Sequence, residues 1–422
     1  MFASLTHRNF RLLWAGLLVS FSGSYMQAAA MLWHVSLLVP ADRRALALGL
    51  VGLARIGPIL LFSLISGVAA DALNRRMVML VTQSTMAVLA VVLAVLTFRG
   101  LHAVWPIYLL AACSSAAGAF DLPARHALLP SLVPRADLPN AISLNTMATQ
   151  TASVAGPACG GLLIATAGVG WVYAANAVSF LFVIGALVLM KGQGMTHMTG
   201  ERPRDRRDFS VSAALEGLRF VFHAPLIRST MLLDFFATFF SSATALLPIF
   251  AQDVLHVGAR GYGWLYAAPA AGAVLTSGLM IKLIDRIEER GRMLVAAVLV
   301  YGVATMVFGL STSFWLTFAC LAVTGAADTV SMVFRNLIRQ LETPDHLRGR
   351  MTGVNMIFFM GGPQLGELEA GLVANWLGPV VSVVTGGIGC VLASAWVAAW
   401  TPALLGYRRP ERTEPVLPTP AS

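Results

Sequence analysis

The sequence predicts an all-α membrane protein, with twelve transmembrane helices arranged as two pseudo-symmetric six-helix halves. Three observations carry that prediction. Apolar runs of about 18 or more residues recur along the chain, each long enough to cross a bilayer core. Only 12% of the residues are charged against 57% hydrophobic, and the mean hydropathy is +0.75; a soluble domain carries about 25% charged residues. The third is an internal repeat. A shift of 210 residues aligns Arg125 with Arg335, Pro134 with Pro344 and Asn145 with Asn355, and a shift of 206 aligns GPACG at 156–160 with GPQLG at 362–366. Duplicated six-helix halves are a transporter signature, with the substrate site between the halves near the midplane.

Hydropathy places the spans at 10–39, 45–70, 77–98, 104–124, 138–167, 170–190, 226–251, 262–284, 293–311, 313–334, 349–377 and 379–405. The first run is too long for a signal-peptide core, so it reads as a retained helix that also directs insertion. One connection is long and polar, which divides the chain into an N-terminal half (1–190), a linker (191–225) and a C-terminal half (226–406). The Pro-rich tail, 407–422, reads as disordered. Cys113, Cys159, Cys320 and Cys390 all fall inside apolar runs and read as small core residues, forming neither a disulfide nor a metal site.

The net charge of +9 does not indicate nucleic-acid binding, because no basic stripe is interleaved with aromatics. Lys and Arg instead collect in short loops on one side. All but five of the 29 fall there, the exceptions being Arg43, Arg44, Arg55, Arg99 and Arg260. Basic loops stay in the cytoplasm, which puts both termini and the linker on that side.

Two stretches carry motifs. GVAADALNRRMVML, in the turn between spans 2 and 3, sets Gly67, Asp71, Arg75 and Arg76 together, and Gly278 to Arg292 holds a degenerate copy with Asp285 and Arg290. Glycine permits close helix approach, an Asp suits a neighbouring helix N-terminus, and the arginines suit an anionic leaflet. GPACGG in span 5 contains Gly156, Pro157, Gly160 and Gly161, residues that bend a helix and let a partner approach closely.

The first stretch resembles the loop motif of the major facilitator superfamily, and the second resembles the motif that exporters of that superfamily carry in the fifth helix, although Ala152 stands where a Gly is usual. FDLPARHALLPSLVPRADLPNAISLN (120–145), FRLLWAGLLVSFSG (10–23) and LRGRMTGVN (347–355) resemble the enterobactin-exporter-like branch, also called transmembrane secretion effectors. That likeness spans almost the whole chain. Ser24 stands where those exporters often have an acid, so no role for an acid carries over there. The resemblance implies the superfamily's twelve-helix fold, alternating access, and a conformational-switch role for the span 2–3 loop.

Ionisable groups inside spans are functional candidates by default, since each costs about 2.5–3.5 kcal/mol on insertion scales. Asp234 lies in span 7, Glu367 and Glu369 in span 11, and Arg55 in span 2. These four are the candidate proton or substrate site. Glu367 and Glu369 point about 200° apart on a helix, so both cannot easily face one cavity. With the 206-residue shift, Glu367 takes the place of Gly161. Asp121 and Asp328 read as partners of Arg125 and Arg335 in the loops after spans 4 and 10. His34 reads as a satisfied polar histidine near the outer end of span 1. Met26, Met31, Trp33 and the Phe235, Phe236, Phe239 and Phe240 cluster supply packing and part of an apolar cavity lining.

The expected function is export of an amphipathic small molecule (drug, siderophore or other metabolite) across a bacterial inner membrane by alternating access. Proton antiport is the expected driving reaction, and the protein is expected to work as a monomer. The partners are then the substrate, protons and the bilayer. There is no Walker-type GxxxxGK[ST] sequence, and no cofactor or metal is expected. A proton-coupled importer or a lipid flippase of the same fold are the alternatives. A membrane enzyme is the remaining class, and no HExxH or similar spacing supports it. The topology is testable with two fusions. A fluorescent protein that matures only in the cytoplasm should glow when fused after Ser422, and alkaline phosphatase inserted after Leu101 should be active. A dark first fusion with an inactive second one would reverse the orientation.

Overall fold

The computed structural model describes residues 3–190, 218–284, 286–344 and 347–408; at 63–72, 243, 348–350, 352–353, 356–357 and 359–360 the backbone alone is described. Twelve long helices follow one another: α1 (Arg8–Leu38), α2 (Ala41–Ala72), α3 (Arg75–Phe98), α4 (Trp105–Leu128), α5 (Leu138–Ala167) and α6 (Val169–Leu189), then α7 (Pro225–Phe240), α8 (Gly258–Leu283), α9 (Arg290–Leu310), α10 (Phe314–Glu342), α11 (Arg348–Leu377) and α12 (Pro379–Trp400). There is no strand among the described residues. Nine segments among the described residues are long and apolar enough to cross a membrane by length and composition, α7 only together with the chain that follows it to Val254. The other three, α1, α5 and α11, have the length at 31, 30 and 30 residues but carry polar side chains such as Gln27, Asn145 and Gln364.

Helix boundaries follow local chemistry. Asn74 caps α3, its side chain accepting from the backbone N–H groups of Arg76 and Met77, so the polar turn after α2 starts the next helix. Gly168 and Gly378 end α5 and α11 at φ +94° and +90°, a conformation that favours glycine. These two turns are 210 residues apart and let α6 and α12 double back at once.

The packing repeats with the same two-fold logic. In the first six helices α1 lies on α5 and α6, α2 on α4, and α3 on α4 and α6. In the second six, α7 lies on α11 and α12, α8 on α10, and α9 on α10 and α12. Two further pairs cross between the sets: α2 with α11, and α5 with α8. The crossing contacts sit at the end of the bundle away from the chain termini, here the far end. The largest apolar cluster is at that end and draws on both sets, from Trp33, Leu48 and Tyr173 to Phe250, Tyr262 and Ala374. At the near end, the cluster around Phe10, Leu13 and Leu187 belongs to the first six helices. The cluster around Leu294, Phe334 and Val397 belongs to the second six. Among the described residues the two sets are therefore joined at the far end, and no apolar cluster joins them at the near end.

Two seams make the far-end joint. In the first, a β-carbon built on Gly161 of α5 would fall 2.6 Å from the Gly263 Cα of α8, and one on Gly263 would fall 2.6 Å from the Pro157 carbonyl oxygen. In the second, a β-carbon on Gly371 of α11 would fall 2.8 Å from the Gly49 Cα of α2, and one on Gly49 would fall 2.9 Å from the Glu367 carbonyl oxygen. The seams are copies of each other at a shift of 210 along α5 and α11. This corrects the register read from the GPACG and GPQLG match: Glu367 takes the place of Pro157, not of Gly161. The short GP match misled because the contacts, which follow the glycines at 156, 161 and 168, set the alignment.

Three other expectations are revised. Span 7 is not one helix. α7 stops at Phe240, a 3-10 turn spans Ala243–Leu246, and a further short segment with a π turn runs to Val254. The apolar run hides this break because Leu246, Leu247, Pro248 and Ile249 are as greasy as a helix interior. Residues 218–223 are helical, and Val221 packs on Ile227, Met231 and Met351, so this end of the expected linker belongs to the bundle. The tail is fastened at its start, where the Gly291 N–H donates to the Tyr407 carbonyl at 3.1 Å and Arg408 lies 3.7 Å from Glu289.

The seams are testable. Ser36 and Gln252 meet across the far end, where the Gln252 amide donates to the Ser36 hydroxyl at 2.7 Å. Paired cysteines there, in a background lacking the four native ones, should cross-link readily. Gly263→Leu, which forces α8 off α5, should cut that cross-linking severalfold at unchanged protein level. Undiminished cross-linking would mean that the glycine seam does not hold the far end shut.

Candidate transport site and its ion pairs

Just below the second seam, toward the near end, chemistry-bearing side chains converge. Gly52 of α2 lies one turn below Gly49, and a β-carbon there would fall 2.7 Å from the Glu367 carboxylate. Glu367 Oε2 is buried with no hydrogen-bond partner. Arg55, one turn further along α2, is the cation whose field reaches both the Glu367 carboxylate and the Tyr266 hydroxyl of α8. Tyr266 occupies in the first seam the place that Gly52 occupies in the second. Of the four candidate proton or substrate residues, the structure thus brings Arg55 and Glu367 together. Glu369 is half-buried on another face of α11, three residues beyond Gly366, which packs on the Phe239 carbonyl of α7 and on Ser242 just past its end.

Asp234 is elsewhere. It is buried on α7, where its Oδ1 lies 2.9 Å from Arg335 Nη1 and its Oδ2 lies 4.0 Å from Arg339 Nη1, both on α10. Arg335 also donates through Nη2 to Asp328 Oδ1 at 3.1 Å. Two carboxylates and two guanidiniums therefore share one network, all but Asp328 buried. In the first six helices Asp121 is buried on α4, 3.2 Å from Arg125, and accepts from the Thr82 hydroxyl and the Gln83 amide of α3, each at 2.9 Å. Arg125 in turn covers the Phe21 ring of α1, 4.7 Å from its centroid.

The placement of these four charges corrects the reading of Asp121, Arg125, Asp328 and Arg335 as loop residues. Asp121 and Arg125 lie in the last turns of α4, and Asp328 and Arg335 lie well inside α10, which continues to Glu342. Neutralised charges lower hydropathy without ending a helix, and that moved the apparent boundary. Arg339, Thr82 and Gln83 were not anticipated. A signal for Arg339 was present, since Arg335 and Arg339 share a helix face at i, i+4.

In the span 2–3 turn, Gly67 and Asp71 lie where only the backbone is described, and Asp285 lies outside the described residues. Arg75 and Arg76 are placed. Arg75 donates to the Ala127 carbonyl at 3.0 Å and Arg76 to the Val188 carbonyl at 3.3 Å, at the C-terminal ends of α4 and α6. Cations there satisfy orphan carbonyls and the negative end of the helix dipole. Arg290, the first residue of α9, is buried, and its neighbour Gly291 packs against the Leu404 carbonyl.

The span 5 motif divides its labour. Gly156 and Gly160 pack on Ser22, Tyr25 and Met26 of α1, whereas Pro157 and Gly161 form the seam with α8. The far end is further tied by the Tyr262 hydroxyl donating to the Ala29 carbonyl at 2.8 Å, and by Arg44 donating to Asp253 at 2.8 Å. His34 is buried, with Nδ1 3.2 Å from the Tyr173 hydroxyl.

Twelve helices in two-fold-related sets, with charges gathered between them beneath a closed end, define a transporter of the major facilitator type. A family model described as Transmembrane secretion effector matches residues 1–404, and the chain belongs to that family. It is a family of membrane transporters rather than enzymes. Among curated relatives, the enterobactin exporter EntS of Escherichia coli O1:K1 / APEC is 27% identical over 386 residues, 91% of this chain and 86% of the relative. The enterobactin exporter EntS of Citrobacter koseri (strain ATCC BAA-895 / CDC 4225-83 / SGSC4696) is 27% identical over 381 residues, 90% and 86% of the two chains. Among solved structures, a bacterial homologue of the human lysosomal transporter Spinster, inward-facing and unoccupied, matches with a TM-score of 0.73 at 16% identity, covering 96% of this chain and 99% of that one. A bacterial homologue of the iron transporter ferroportin, inward-facing, matches with a TM-score of 0.64 at 17% identity, covering 92% and 99%.

The Asp234 network makes a stability prediction. Removing one partner of a buried pair costs about 3–5 kcal/mol, while replacing the whole pair by apolar residues is often neutral. Asp234→Asn should therefore lower the thermal unfolding midpoint of the purified protein by several degrees. Asp234→Leu combined with Arg335→Met should recover most of the loss. If Asp234→Asn unfolds at the wild-type temperature, the network carries no stability.

Proposed function

We propose that the protein exports an amphipathic small molecule of the siderophore type across the bacterial inner membrane, by alternating access and in exchange for protons. The class of substrate is suggested by the relatives, which are enterobactin exporters. The near end is then cytoplasmic, as the basic loops suggest, and the arrangement described above is the one open to the cytoplasm.

One observation supports proton exchange: Glu367 lies in the α2–α11 seam with Oε2 buried and unpaired, and Arg55 lies a turn below it. An ionised Glu367 carries an unpaired charge into that seam, and a protonated one does not. Opening the seam would wet Glu367 from the outside, where it takes a proton; closing it then returns the carboxyl to the cytoplasmic cavity. There it stands near Arg55 and the water of the cavity, and the proton leaves inward. The ionised form disfavours closure, so the substrate-loaded carrier turns outward. A proton shifts such an equilibrium only through its different interaction with the two states, and Glu367 is placed to supply that difference.

The experiment is export from proteoliposomes driven by an imposed pH gradient. Glu367→Gln should lose gradient-driven export while substrate exchange between equal concentrations persists. Glu369→Gln and Asp234→Asn serve as controls for the other acidic candidates. Full pH-dependent export by Glu367→Gln would refute its role as the proton carrier.

A further inference from the structure

Along the outer side of the α7–α12 pair, where Leu392, Trp396 and Trp400 are exposed, runs a continuous aromatic ribbon. Phe240 stacks on Phe236 with ring centroids 6.0 Å apart, Phe236 and Trp396 meet edge to face at 6.3 Å, and Trp396 stacks on Trp400 at 5.1 Å. The ribbon ends on a charge: the Arg228 guanidinium of α7 lies over the Trp400 ring, 4.3 Å from its centroid. At the other end the Phe240 ring rests against Gly389 of α12, and from there to Trp400 the helix rises about 16 Å. That is about one leaflet of a roughly 30 Å hydrocarbon core. We propose that this face binds one anionic phospholipid, its phosphate on Arg228 and an acyl chain along the ribbon.

Three features single this place out from the rest of the lipid-facing surface. The first is where the tryptophans stand. Of the seven exposed ones, Trp105, Trp171, Trp264, Trp315 and Trp376 lie at the far end on five different helices, as interfacial anchors do. The other two, Trp396 and Trp400, are stacked together at the near end. The second is that Arg228 has donors to spare. It pairs with no carboxylate among the described residues; Nη1 donates to the Phe222 carbonyl at 3.2 Å, and Nε is buried without a partner. A guanidinium carries five N–H donors in a rigid fork that matches a phosphate, and stacking on an indole holds the fork in place beforehand. The third is the charge around it. α7 and α12 contain a single carboxylate, Asp234, and it is turned inward onto Arg335 and Arg339. Arg219 and His223 are exposed one turn apart on the helical stretch before α7, and Phe222 between them supplies the carbonyl that Arg228 holds. Basic residues beside the end of a membrane helix attract anionic headgroups. A zwitterionic headgroup would bring its own cation into this basic corner, so the fit is to a headgroup of net negative charge.

The site involves neither Glu367 nor the far-end seams, and it is read without transport. The test is quenching of tryptophan fluorescence in the full-length protein, reconstituted in phosphatidylcholine vesicles that hold a small fraction of lipid with brominated acyl chains. Brominated phosphatidylglycerol should quench more than brominated phosphatidylcholine at equal mole fraction, and the excess should saturate. Arg228→Gln should cut that excess severalfold. Trp396→Phe combined with Trp400→Phe should remove most of it, because the far-end tryptophans lie about a bilayer core away from the headgroup. Comparing the two brominated lipids within each variant cancels any change in intrinsic fluorescence. If Arg228→Gln does not fold, the tryptophan pair decides. Equal quenching by the two lipids in the wild type, an excess unchanged in Arg228→Gln, or an excess that survives loss of both tryptophans would each overturn the assignment.

Discussion

Everything in this bundle depends on two places where backbone touches backbone. Gly161 against Gly263, and Gly49 against Gly371, bring helices from the two sets into contact with no side chain between them. Such contacts come with a constraint. Without a hydrophobic drive between helices in lipid, close packing and interhelical hydrogen bonds must supply the attraction. A seam of small residues can do that and still part cleanly, because no interlocked side chains have to be withdrawn. The apolar cluster at the far end thickens the joint. The hydrogen bonds from Tyr262 and Gln252 fix its register.

The ion pairs serve a different purpose. Asp121 with Arg125, and Asp234 with Arg335 and Arg339, are each buried inside one set of helices, so they keep a set rigid rather than join the two. A carrier that rocks needs both properties: stiff bodies and a seam that yields. Arg75 and Arg76, fixed on the ends of α4 and α6, extend the same stiffening to the near end. The second set is the less regular one, because α7 is broken where α1 runs through.

Much of the architecture was legible. Long apolar runs marked the helices, and the 210-residue repeat in the loops after spans 4 and 10 marked the two-fold. What stayed hidden has physical causes. The break at Ser241–Leu246 falls within a continuous apolar run, so hydropathy passes over it. The Asp234–Arg335 pair joins residues far apart in the chain, and no local pattern announces it. Buried charges that neutralise each other made α10 look shorter than it is. The GPACG and GPQLG match offered a tempting alignment, but glycine spacing, which records helix contact, was the better guide. Arg55 and Glu367 stood out as in-span charges. That they share a site required the seam itself.

The two seams are near copies, yet they differ where they face the cavity. Tyr266 stands opposite the position of Gly52, and Glu367 stands opposite the position of Pro157. The ceiling over a bound molecule therefore has a carboxylate and a guanidinium on one flank and a phenol on the other. A guest rotated by half a turn meets different partners, so the two orientations are not equal in energy. A pathway built by duplicating one unit has in this way become able to tell one end of a guest from the other.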